Sequence, residues 1–175
     1  MGYMGVPLYP NSGIMWENQG GTVLFKGRCV IGNNSALSIG PLVVLEIVDD
    51  TTVSSSLKLV CHSSVVFEKR VRIGWDCVVM DTAFHRLRRM DGFCHNEGDA
   101  PVHIAENNWI AARNLILPGT RTAGYCTFAA GSVLHKDYRV YPTHSLFAGN
   151  PLSVKVQGVY RDMDEASVKC KKNNL

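Results

Sequence analysis

The chain has 175 residues, enough for one domain with a substantial core and too few for two independent ones. Its 18 Lys and Arg are scattered among 15 acidic residues for a net charge of +3, so neither a nucleic acid nor an anionic membrane is required as a partner. The longest apolar run, positions 41–48, is broken by Glu46 and falls far short of the roughly 20 residues of a membrane helix.

No basic segment followed by an apolar stretch opens the sequence, so a secretory signal is not expected and the cytoplasm is the expected compartment. Six cysteines (Cys29, Cys61, Cys77, Cys94, Cys126, Cys170) would suit a disulfide framework in a small secreted chain. Four of them (Cys29, Cys61, Cys77 and Cys126) fall on the tracks of the repeat described next and no C-x-x-C pair occurs, so they read as buried thiols.

From Phe25 onward apolar residues recur every six positions. One track runs Phe25, Ile31, Leu37, Val43, then Asp49 and Ser55, then Cys61, Phe67, Ile73 and Val79. A companion track four residues ahead runs from Cys29 through Ile47, Val53, Leu59, Val65 and Val71 to Cys77. Six is not a multiple of 3.6, so this is not a helical stripe, and a β-sandwich would repeat at roughly 8–12 residues. A strand of two or three residues, a corner and another strand fits, with one large and one small side chain inward per hexad. The polar stretch at 49–56 reads as an irregular corner or a solvent-facing rung.

The run Ile73-Gly74-Trp75-Asp76-Cys77-Val78-Val79-Met80-Asp81-Thr82-Ala83-Phe84-His85 closes this first register. Residues 84–101 then interrupt the period with Arg86, Arg88, Arg89 and several Gly, Asn and Asp, and read as a loop ejected from the repeat. Such loops in compact proteins usually carry function. A second register, shifted by one residue, follows in Ile104, Ile110, Ile116, Thr122, Phe128 and Leu134, with Val102, Asn108, Asn114, Thr120, Cys126 and Ser132 two positions before. The repeat domain is expected to occupy residues 1–156, and residues 157–175 to form a tail with a short helix.

The units Ile31-Gly32, Ile73-Gly74 and Ile110-Ala111, with Ile-Leu-Pro-Gly-Thr at 116–120 and Ala-Ala-Gly-Ser-Val at 129–133, resemble the hexapeptide-repeat acyltransferases. The run ending in His85, Asn-Asn-Trp-Ile-Ala-Ala-Arg at 107–113 and Ala-Gly-Asn-Pro-Leu-Ser-Val-Lys at 148–155 are similar to those of the sugar and capsular-polysaccharide O-acetyltransferases within that class. The resemblance implies an all-β, left-handed parallel β-helix of triangular section. General rules favour right-handed crossovers, so the handedness rests on the resemblance alone.

The resemblance also implies acetyl-CoA as co-substrate, a saccharide or other small acceptor, no metal, and a homotrimer with its active sites between subunits. His85 matches the general base, a role that suits an imidazole near neutral pH. Asp81 is expected to orient that ring or to hold acceptor hydroxyls. The similar run carries a second acid where this chain has Ala83, which leaves Asp81 with both tasks or a loop acid in its place. Trp109, Ala112 and Ala130 match the pantetheine groove, His135, Lys136, Ser153 and Lys155 the nucleotide end of CoA, and Arg113 is a further cation near it. Arg86, with Arg88 and Arg89, is expected to meet an anionic acceptor.

Other readings stay open at this stage. Acceptors such as an antibiotic, serine or an amino sugar fit the same machinery. A zinc γ-type carbonic anhydrase shares the prism and would draw on His85, His95 and His103, although their spacing offers no preformed convergence. A non-catalytic scaffold is the third.

Overall fold

The computed structural model describes residues 13–162. Within them every regular element is a strand of two to five residues, and there is no helix, hence none long and apolar enough to cross a membrane. The chain winds past three flat faces in strict rotation. The first face stacks Ile14–Asn18, Ser35–Ile39, Lys58–Cys61, Val78–Met80, Leu115–Ile116 and Val133–Leu134. The second stacks Thr22–Lys26, Val44–Val48, Ser64–Phe67 and Val102–Ile104, and isolated bridges extend it through Arg121 to Asp137. The third stacks Cys29–Ile31, Thr51–Val53, Arg72–Ile73, Trp109–Ile110, Thr127–Phe128 and Ser145–Ala148. All of these pairings are parallel, so each strand bonds through its backbone to its counterpart one turn away.

Alternation within these short strands sends every second side chain inward. In Lys58–Cys61, Leu59 and Cys61 are buried while Lys58 is exposed. The resulting column of Ile, Leu, Val and Phe side chains fills the prism axis. At the C-terminal end it is closed by an aromatic plug: Phe128 stacks on Phe147 with centroids 5.0 Å apart, and Tyr138 packs edge-on to both.

The second register behaves as the sequence reading expects. Leu115 and Val133 are 18 positions apart, three hexads, and every residue of both inward tracks is buried. Its polar members have a purpose that composition does not show. Asn114 donates to Ala111 O at 2.8 Å and accepts from Ser132 N at 3.1 Å, and Asn108 accepts from Cys126 N at 2.6 Å. These buried amides tie one turn's corner to the next.

The strict six-step count fails in the first register. Ala36 and Lys58 are 22 positions apart, Lys58 and Val78 are 20. The surplus residues sit at wider corners, so Phe25 is 42% exposed and Asp49 lies at the surface, accepting from Arg28 N at 2.8 Å. Residues 49–56, expected to be irregular, are two ordinary corners flanking the strand Thr51–Val53. Ser153–Gln157 pairs antiparallel with Ser145–Ala148, and residues 158–162 continue without regular structure. The residues of the expected tail helix lie, beyond its start, outside the described residues.

Candidate active site

Two corners of the prism carry the candidate residues. Between the third and first faces, Asn34, Ser56, Asp76, Arg113 and Gly131 stack one per turn, all with φ between 56° and 72°. Each link is a hydrogen bond to the turn beneath: Arg113 N to Trp75 O at 2.8 Å and Gly131 N to Ala112 O at 3.0 Å. Ala112 and Ala130 therefore lie one above the other. Closeness here is enforced, because a Cβ on Gly74 would meet Ala112 N at 2.6 Å. The column continues toward the C-terminal end through Ala148, whose pairing partner is Ser153. Arg113 is one of the left-handed corner residues and is exposed.

At the next corner, between the first and second faces, the chain leaves the prism over residues 81–101 and returns. The arm is pinched at its base. Ala83 N donates to Gly98 O at 2.7 Å, Ala100 N to Asp81 O at 2.9 Å, and the Thr82 hydroxyl to Asp99. Further out Arg88 and Cys94 bridge, and the arm closes as a short antiparallel hairpin. His85 stands exposed just beyond the pinch, with Nδ1 3.3 Å from Ala83 O. In the tautomer with Nδ1 protonated, that nitrogen donates to the carbonyl and Nε2 keeps its lone pair.

Asp81 does not meet His85. It is fully buried, and its two oxygens accept from His62 N at 2.7 Å and Ser63 N at 2.8 Å, in the turn below. With one backbone donor of the turn below on each oxygen, this carboxylate ties the base of the arm to the core. The polar group nearest the His85 ring is the backbone carbonyl of Ala83. Position 83 thus contributes through its main chain despite lacking the second acid.

His62 is a residue the sequence reading passed over. Its ring meets Phe84 edge-on with centroids 5.1 Å apart, and Phe84 has φ of 56°, unusual for a bulky residue. Nothing in the repeat pattern marks it, since its partner lies on a loop outside the period.

The remaining candidates divide between regions. His135 lines a cavity of about 360 Å³ at the arm's base, with Ala83, Leu117 and Pro118. Lys136 sits over the rings of Tyr138 and Tyr141 at 5.7 and 5.9 Å. Both are thus separated from the Ala112–Ala130 column by the width of the first face. Ser153 and Lys155 are exposed on the antiparallel strand at the end of that column. Trp109 is half-buried on the third face, with the Arg161 guanidinium 4.9 Å from its ring centroid. Arg86 pairs loosely with Glu97 at 3.7 Å and Arg89 with Asp91 at 2.9 Å, so the arm's cations are partly matched by its own acids.

Among the described residues no three His, Cys, Asp or Glu side chains are placed to hold a metal ion. His103, one of the histidines weighed for zinc, is bonded to Glu68 at 2.8 Å.

No family model matches the chain. Solved structures do. A hexapeptide-repeat-containing acetyltransferase from Vibrio cholerae O1 biovar eltor, complexed with acetyl coenzyme A, superposes with a TM-score of 0.61 at 17% identity, over 80% of this chain and 72% of that one. The polysialic-acid-specific acetyltransferase NeuO gives 0.64 at 14% identity, over 84% and 71%. The polysialic acid O-acetyltransferase OatWY gives 0.61 at 18% identity, over 91% and 92%. With the parallel three-faced prism and the repeat motifs, these likenesses show the fold to be the left-handed β-helix of the hexapeptide-repeat acetyltransferases.

Proposed function

We propose that the chain is an acetyl-CoA-dependent O-acetyltransferase acting on a sugar or polysaccharide-precursor hydroxyl, with His85 as general base. The observation that carries the reading is the setting of His85. An exposed imidazole has one nitrogen at a carbonyl and the other free, on an arm held to the prism by buried bonds. The solved structures of this fold support the transfer class, one through its bound acetyl coenzyme A and two through acceptors that are polysialic acid.

Acetyl-CoA supplies an activated acetyl carbonyl and a thiolate leaving group. His85 Nε2 removes the proton of the acceptor hydroxyl as its oxygen attacks that carbonyl, and passes the proton to the departing sulfur. No acyl-enzyme is needed. The buried thiols suit that economy: burial pushes Cys61 up to about 12 and Cys77 to about 11, so both stay protonated at neutral pH. The small residues Ala112 and Ala130 give a linear pantetheine arm access to backbone along one edge, with Ser153 and Lys155 at its end toward the CoA phosphates.

The two half-sites lie at opposite edges of the first face. Ala112 and Pro118 are six positions apart along the chain, so their separation is at most about 20 Å at about 3.3 Å per residue. A homotrimer in which one copy's His85 meets a neighbour's column completes the site. The five described cysteines are free thiols, which suits a reducing compartment and therefore the cytoplasm.

The test is thiol release from acetyl-CoA over a panel of sugars, wild type against His85→Ala. Loss of turnover by about 10²- to 10⁴-fold is expected. Unchanged turnover would remove His85 from the mechanism.

A further inference from the structure

Three residues, Thr82, Ala83 and Phe84, lead from the buried Asp81 to the exposed His85. Each is held by a bond outside the strand ladders. The Thr82 hydroxyl donates to Asp99, Ala83 N donates to Gly98 O at 2.7 Å, and Phe84 N donates to the Thr82 hydroxyl at 2.8 Å. Phe84 is the unusual member. It stands at a φ of 56°, although its side chain is bulky and 58% exposed. A residue of that kind is strained there and persists only where its surroundings over-determine it.

The contact that restrains the Phe84 ring comes from one turn away. His62 meets it edge-on, with centroids 5.1 Å apart and the planes 77° from each other. His62 is itself fixed twice. Its backbone N–H donates to the Asp81 carboxylate at 2.7 Å. Its imidazole rests on Gly40, the position that follows Ile39 where Ile39 pairs with Cys61. A Cβ on Gly40 would fall 3.1–3.3 Å from three atoms of the ring and displace it by a few tenths of an ångström. The bare backbone at Gly40 thus seats the His62 ring where it meets Phe84. A line of contacts runs from Gly40 through His62 to Phe84, and His85 is the next residue.

We infer that His62 is a positioning residue for His85 and acts through the ring of Phe84. Without the imidazole, Phe84 is free to relax towards negative φ, and rotation about that bond carries His85 with it. The consequence for turnover rests on His85 being the base. The effect on how His85 is held does not. Donor binding is left alone, because the Ala112–Ala130 column lies at the other edge of the first face.

The experiment combines ¹³C relaxation of the His85 ring in the ligand-free protein with steady-state thiol release, in His62→Ala, His62→Phe, His85→Ala and the His62→Ala/His85→Ala double variant. Circular dichroism checks that each variant is folded. In His62→Ala the His85 ring is expected to become more mobile, and kcat to fall about tenfold while the KM for acetyl-CoA stays within about twofold. His62→Phe keeps a ring against Phe84 and should restore most of both. The double variant should match His85→Ala within about twofold, since a residue that works through the base has nothing to act on once the base is gone. Phe84→Leu removes the other half of the contact and should repeat the His62→Ala result, which also serves if His62→Ala does not fold. A His85 ring equally ordered in wild type, His62→Ala and Phe84→Leu, a His62→Phe variant as impaired as His62→Ala, or full multiplication of the two losses in the double variant would each overturn the inference. A His85 ring that loosens in His62→Ala, together with turnover unchanged in His85→Ala, would uphold the positioning and count against His85 as the base.

Discussion

At the corner between the third and first faces the chain turns in the same left-handed conformation turn after turn, and small residues stack above one another. At the corner between the first and second faces it abandons that turn over residues 81–101 and projects a histidine. The regular corner offers a straight edge with accessible backbone, suited to a long flexible ligand. The interrupted corner offers one exposed imidazole, the proposed base, and a cavity at its foot. Neither corner has what the other supplies, and the width of a face keeps them apart. On the proposed function, this repetitive scaffold works through one corner that keeps the rule and one that breaks it.

Substitutions that separate the two corners sharpen the comparison. The largest effect is expected from His85→Ala, which lowers kcat by about 10²- to 10⁴-fold while the KM for acetyl-CoA stays within about twofold. Ala112→Trp at the regular corner should do the reverse, raising the KM for acetyl-CoA about tenfold or more with a smaller change in kcat. Steady-state kinetics with both substrates varied reads each case. If the two variants gave the same pattern, the division between corners would be wrong.

Asp81 tests how the arm is held. Asp81→Ala leaves the His62 and Ser63 N–H groups without acceptors in a buried place, and a stability loss of about 2 kcal/mol in urea unfolding is expected. Asp81→Asn keeps one acceptor oxygen and should lose less. An Asp81→Asn variant of wild-type stability whose turnover fell as far as that of His85→Ala would return Asp81 to the chemistry.

Smaller still is the contrast among thiols. Exposed Cys94 on the arm should react with a thiol-titrating disulfide well before Cys61 and Cys77 in the prism core. The same burial has a pH consequence. The folded-state pKa values of Cys61 and Cys77 are raised, so the stability they contribute is complete below the unfolded thiol value of about 8.5. It is lost as pH climbs toward about 12 for Cys61 and about 11 for Cys77. Thermal melts between pH 8 and 11 should show a decline that Cys61→Ser reduces.

The prism was legible wherever the turn is three hexads long. From Ile104 to Leu134 the count by six lands inside every time, because Leu115 and Val133 are 18 positions apart. In the earlier turns the same count slides off the core, since turns with up to four extra residues at their corners keep the faces without keeping the period. Phe25 and Asp49 were misplaced for that reason. His85 was visible as the first residue past a broken rhythm. Its actual support was not, because a backbone carbonyl leaves no mark in a sequence and the nearby carboxylate of Asp81 points into the core. The Arg161–Trp109 contact depends on an antiparallel return after Ala148, a departure from the repeat that no repeat count can anticipate.

The central claim, that the base and the donor edge of one working site come from different chains, is tested most directly by subunit mixing. His85→Ala chains, inactive alone, and Ala112→Trp chains, about a tenth as active as wild type or less when acetyl-CoA is held well below its KM, are unfolded together in equal amounts, refolded and assayed for thiol release under that condition. Random trimers with sites shared between neighbours should recover about one quarter of wild-type activity. No activity beyond that of the Ala112→Trp chains alone, with mixed trimers demonstrated by differential tagging, would place both halves of the site on a single chain and contradict the account.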